Sequence, residues 1–154
     1  MKMMKMKPRP IFALPVLSML CIVGLLLSGT LNAQTADVVA RDAWVRVPLP
    51  SKSETALYLV LENHGSQRRA VVSASSDSAA AAEMHQMTMV KMMMVMTPVN
   101  QVVIPAKGKT SFSPNGLHIM LYGLKTRPAL GDKINVTLKL DDGTTVPVEA
   151  DVRK

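Results

Sequence analysis

From about residue 37 onward the chain alternates short apolar segments with turn residues. Trp44, Val45 and Val47 mark a first strand, closed by Pro48-Leu49-Pro50. Ala56-Leu57-Tyr58-Leu59-Val60-Leu61 is rich in strand formers and stops at Asn63-His64-Gly65. Ala70-Val71-Val72 and Val102-Val103-Ile104 follow, the second bounded by Pro105. Leu117 to Tyr122 is a strand entered from Pro114-Asn115-Gly116 and left at Gly123. Ile134, Val136, Leu138 and Leu140 alternate with polar residues, and Asp142-Gly143 turns the chain into Val146, Val148 and Val152. A period of two, with Gly, Pro, Asn and Asp between the runs, predicts half-buried strands joined by tight turns. Seven or more such strands predict an all-β fold, an antiparallel sandwich or barrel. The one stretch that invites a helix, Ser78 to Met84 through four alanines, reads as a strand or an irregular segment. Trp44 is expected in the core, and no repeat or second domain is visible.

The beginning of the chain follows another pattern. Lys2, Lys5, Lys7 and Arg9 give a positive start, and from Ile11 to Ala36 there is no charged side chain. An apolar run to Leu27 passes into Ser28-Gly29-Thr30-Leu31-Asn32-Ala33. Charge, apolar centre and small-residue exit are the plan of a secretory signal peptide, residues 1–33, with cleavage expected after Ala33. The alternative is an uncleaved anchor, because Ile11 to Leu27 is near the lower length limit for a spanning helix. Cleavage leaves residues 34–154 as one domain, long enough to bury a single core, and places it in the periplasm.

Charge and cysteine usage then narrow the chemistry. The whole chain carries +7, but four of its 18 basic and none of its 11 acidic residues lie in the signal, so the remainder carries +3. With no basic run and few aromatic residues, nucleic-acid binding is not expected. The single cysteine, Cys21, lies inside the apolar run, and the bulky Leu20 before it argues against lipidation. The exported domain therefore has no disulfide, thiol catalysis or thiolate ligand available. There is no Ser/His/Asp set or phosphate loop and no paired carboxylates in a plausible pocket, so the chain does not read as an enzyme and no small-molecule substrate is expected. With three histidines and no cysteine, a common catalytic zinc site is poorly supplied.

Methionine is the anomaly. Eight of the 13 methionines lie beyond the signal, and seven of those eight fall between Met84 and Met96. A core strand ordinarily takes Val, Ile or Leu, since Met is flexible and specifies packing poorly. A Met-rich core or partner surface remains open on composition alone. The segment also holds His85, and a second pair, His118 and Met120, lies two residues apart on the predicted strand Leu117 to Tyr122. Residues i and i+2 of a strand point to one face, about 7 Å apart, so these two project together as an N/S pair. Thioethers are soft neutral donors that favour Cu(I), and imidazole accepts it as well. On a continuous strand, Met92 and Met94 would share a face with Met96, and Met93 would point the other way. His64 reads as an exposed turn residue and Glu83 as a solvated strand-edge charge.

His85, ten residues, Met96, twenty-one residues, His118, one residue, Met120 resembles the ligand pattern of the PCu(A)C family of periplasmic copper chaperones at every position. Met87, Met89 and Met94 also fall where such proteins often carry methionine. Asp42-Ala43-Trp44-Val45-Arg46 looks like the family's opening strand. Tyr58-Leu59 with Asn63-His64-Gly65 looks like its second, and Met120 to Lys125 resembles the segment after the last ligands. Thr126 and Arg127 lengthen that segment slightly, and Met92 and Met93 add sulfur beyond the usual set. The resemblance implies a cupredoxin-like antiparallel Greek-key β-sandwich with one Cu(I) per chain. The implied ligands are His85, Met96, His118 and Met120, with Met87, Met89 and Met94 as auxiliaries. It further implies delivery to the binuclear copper centre of cytochrome c oxidase, beside Sco-type thiol proteins. A copper-buffering protein is the rival reading, suited by the methionine surplus.

Overall fold

The computed structural model describes residues 37–154, and the predicted signal segment, its cleavage after Ala33 and Cys21 lie outside them. Among the described residues there are ten strands and no helix: β1 (Val38–Arg46), β2 (Thr55–Asn63), β3 (Arg69–Ser75), β4 (Ala81–Val90), β5 (Met93–Pro98), β6 (Val102–Ile104), β7 (Lys109–Phe112), β8 (Leu117–Tyr122), β9 (Lys133–Leu140) and β10 (Thr145–Arg153). The sheet runs in the order β5-β4-β8-β2-β1-β10-β9-β3-β6, with β7 paired to β2. It bends back until β3 lies near β4, so one inner face is enclosed. Leu57, Leu59, Leu61, Val71, Ile104, Ile119, Leu121, Val136 and Leu138 fill that face, all at most 1% exposed. Strict alternation on β9 and near-strict alternation on β10 follow from one wet face and one packed face.

Two features depart from the sequence reading. Every pairing is antiparallel except that of β1 with β10, which is parallel. A tight turn forces antiparallel pairing only on the strands it joins; β1 and β10 are the first and last strands and no turn joins them. Trp44 is half-buried, outside the core. A bulge between Arg41 and Trp44, with Asp42 at φ 50°, sets Trp44 opposite Tyr58 on the outer face of the sheet.

The methionine segment is a hairpin. Val90 pairs with Met93, so Lys91 and Met92 form a two-residue turn, with φ of 47° and 65°. Met92 is therefore at the tip, 94% exposed, and not on the strand with Met94 and Met96 as a continuous run would place it. A turn with two left-handed residues ordinarily carries Asn-Gly, and each other residue held there costs about 1–2 kcal/mol. Lys91→Asn with Met92→Gly is expected to stabilise the fold by about 1–2 kcal/mol in urea unfolding. An unchanged or lower midpoint would contradict this turn.

Candidate metal centre

Three neighbouring strands build the site. β8 lies between β2 and β4, and β4 lies between β8 and β5. His85 stands opposite His118, and Met87 stands opposite Met96. Directly opposed residues of an antiparallel pair share a face. Met84 and Ile119, the neighbours of these histidines in sequence, point the other way into the core at 5% and 0% exposure. Core packing thus fixes which face receives His85, Met87, Met96, His118 and Met120.

On that face the histidines meet, their ring centroids 5.8 Å apart. His118 Nδ1 lies 3.0 Å from the Gly116 carbonyl oxygen, so in the neutral ring Nδ1–H donates there. The lone pair is left on Nε2, which faces the Met96 sulfur at 3.2 Å. In that tautomer neither atom has a proton to give the other, and both offer electron pairs. His85 Nδ1 is buried with no hydrogen-bond partner, whereas its Nε2 lies 3.5 Å from a Glu83 carboxylate oxygen. A buried nitrogen left unpaired costs about 1–3 kcal/mol, and a carboxylate beside the other nitrogen favours a proton there. A soft cation satisfies such a donor set: buried imidazole lone pairs and a thioether, all neutral.

Aromatic rings wall the histidines off from water. Tyr58 lies 6.4 Å from His118, and Trp44 packs on Tyr58 at 4.5 Å. Tyr122 meets His85 edge-on at 6.3 Å. Burial, reinforced by the neighbouring His118, holds the His85 imidazole below the ordinary histidine range against the opposing pull of Glu83. The ring is thereby kept neutral, as a ligand must be. Burial, with Glu83 and Glu54, pushes the Tyr122 phenol up, so it remains protonated.

The structure brings His85, His118 and Met96 together. It sets Met120 on the same face, opposite Glu83 and Ala56, where it also lines a cavity of about 290 Å³ with Arg46 and Tyr58. Met87 and Met89 continue the face along β4, opposite Met96 and Met94. Glu83 is more than the solvated charge expected: it is exposed, yet it also faces His85. Their spacing of two on one strand carried that signal. His64 is an exposed residue, 3.7 Å from Glu62, as expected. It lines a cavity of about 540 Å³ with Glu62 and Lys107, toward the other end of β2, where none of the predicted ligands lies. Among the described residues no group of three or more His, Cys, Asp or Glu side chains is placed to hold a metal ion. A hard-metal site of that composition is therefore lacking there.

Comparison with known proteins gives a consistent outcome. Residues 38–152 match the profile of the family described as "Putative lipoprotein LpqE-like". A protein of Leifsonia xyli subsp. xyli, also described as a putative lipoprotein, is 34% identical over 135 residues, covering 86% of this chain and 80% of its own. Among solved structures, copper(I)-bound DR1885 of Deinococcus radiodurans is 35% identical, covering 79% of this chain and 82% of its own, with a TM-score of 0.60. Its apo form aligns over 99% of this chain and 95% of its own at 30% identity and a TM-score of 0.61. The copper-bound PCuAC domain from PmoF2 has a TM-score of 0.64 over 76% of this chain and 92% of its own. At 17% identity it shows the fold alone, the cupredoxin-like β-sandwich.

Proposed function

The chain belongs to the LpqE-like family, which is related to the PCu(A)C copper-binding proteins, and from that premise we propose that it is a periplasmic Cu(I) chaperone. One Cu(I) is held by His85, Met96, His118 and Met120, with Met87, Met89 and Met94 within reach along the same face. The observation that carries this reading is His118 Nε2 facing the Met96 sulfur at 3.2 Å while Nδ1 is engaged by Gly116. Two imidazoles and two thioethers leave a Cu(I) ion its full charge and require no thiolate. Such ligands survive in an oxidising compartment. A set of four donors leaves little room for a substrate, so the chemistry is ligand exchange and not catalysis. The aromatic walls keep the histidines out of water, while Met96, 44% exposed, stands at the rim. An acceptor thiolate or imidazole meets Met96 first and replaces the ligands in turn.

The acceptor is the copper domain of cytochrome c oxidase, with Sco-type thiol proteins alongside; this part rests on the resemblance. A leading segment of signal-peptide pattern supports export, and Leu20 before Cys21 argues against the lipid attachment named for the relatives. Copper buffering is the second reading, favoured by the exposed methionines of the β4–β5 hairpin. Mixing Cu(I)-loaded protein with an apo oxidase copper domain separates the two. A chaperone transfers its ion and a buffer retains it. Displacement of Cu(I) by stoichiometric Zn(II) would defeat both.

A further inference from the structure

The β4–β5 hairpin carries more sulfur than the four-ligand site uses. β4 pairs with β8 only from Ala81 to Gln86, and the Met87 N–H donates to the Gly116 carbonyl at 3.1 Å. Beyond Met87 the hairpin runs on as a two-stranded ribbon, and every residue from Thr88 to Pro98 is exposed. Met89 is 63% exposed and Met94 44%. An exposed ribbon with an open edge ordinarily carries charged or polar residues that suppress association. Methionine at such positions gains little from burial and is not a strong strand former. Packing does not explain these side chains.

Their register does. Met89 stands opposite Met94, and Met87 stands opposite Met96, all on the face that carries His85. Opposed Cβ atoms lie about 4.5–5.5 Å apart and the next pair along the strand about 7 Å away, within the span of flexible thioether arms. The Met96 sulfur faces His118, which leaves Met87, Met89 and Met94 as three further thioethers on the same face of the ribbon. The opposite face of the ribbon carries Thr88, Val90, Met93, Val95 and Thr97, a single sulfur among them. Sulfur is thus gathered mainly on one face, four methionines against one.

We infer that Met87, Met89 and Met94 form a second Cu(I) site, made of thioethers alone. Three soft neutral donors suit Cu(I) and offer no oxygen ligand to calcium or magnesium. The site lies in the open and has no imidazole, so it binds more weakly than the histidine site and fills after it. The Met87–Met96 pair joins the two, giving an ion a sulfur at each step between solvent and the histidines. The inference goes beyond the four-ligand reading, and either can fail without the other.

The test titrates the full exported chain with Cu(I) supplied by a weak chromophoric chelator. In parallel it is titrated with Ag(I), a redox-inert analogue, while the methionine methyl signals are followed by NMR. The wild type is expected to take a second equivalent, and that equivalent shifts the methyls of Met87, Met89 and Met94. Met89→Leu with Met94→Leu should lose the second equivalent and keep the first. His85→Ala with His118→Ala should lose the tight equivalent and keep the thioether one. The Ag(I) titration of the wild type reads the site without any substitution. Saturation at one equivalent with the Met89 and Met94 methyls unmoved, or a second equivalent that survives both leucines, overturns the inference.

Discussion

His118→Ala is expected to weaken Cu(I) binding more than about 100-fold, beyond the 10–100-fold typical of losing a group that merely orients a ligand. The corresponding free energy is about 2.7 kcal/mol or more. His118 is the residue on which the site converges. Its Nδ1 is engaged by the Gly116 carbonyl, its Nε2 faces the Met96 sulfur, and its ring sits 5.8 Å from that of His85. Alanine removes an imidazole donor and leaves the Met96 sulfur without the nitrogen it faces. Met96→Leu should cost less, because Met87, Met89 and Met94 stand on the same face and can replace one sulfur. Competition against a chromophoric Cu(I) chelator reads both. An affinity for His118→Ala within about threefold of wild type, a difference of well under 1 kcal/mol, would remove this histidine from the site.

Ile119→Ala is expected to destabilise the fold by about 2–5 kcal/mol, although it touches no metal. Ile119 is fully buried between two proposed ligand positions, opposite Met84 on β4 and Leu57 on β2. Because strand residues alternate, anchoring Ile119 in the core directs His118 and Met120 outward, and a one-residue slip would reverse all three. Urea unfolding should show a lower midpoint with an unchanged slope. Ile119→Val, which removes one methylene, should cost only about 0.5–1.5 kcal/mol. A loss below about 1 kcal/mol for the alanine variant would mean that core packing does not set this register.

The strand positions were readable where local pattern and burial coincide. β9, β10 and the strand carrying His118 and Met120 follow from alternation and their bounding turns. β7 was not readable, since of Lys109, Thr110, Ser111 and Phe112 only the last is buried and apolar. The hairpin turn was hidden because Lys91 and Met92 are not turn formers, so the methionines on either side read as one continuous run. The parallel β1–β10 pair and the half-buried position of Trp44 depend on long-range pairing and on a bulge, neither of which leaves a local period. The His118–Met120 pair and the Met-flanked His85 stood out from composition and the i, i+2 rule, whereas the four-residue ligand set came only with the family resemblance. The closeness of Met96 to His118 and the approach of Glu83 to His85 required the β5-β4-β8 register. That register brings residues 22 positions apart to 3.2 Å.

The most direct test of the metal centre is X-ray absorption on residues 34–154 loaded with one equivalent of Cu(I). Two nitrogen and two sulfur scatterers are expected around the ion, with one sulfur fewer in Met120→Leu. A shell of sulfur alone, or a sulfur count that Met120→Leu leaves unchanged, would contradict the assignment of His85, Met96, His118 and Met120 as the ligands.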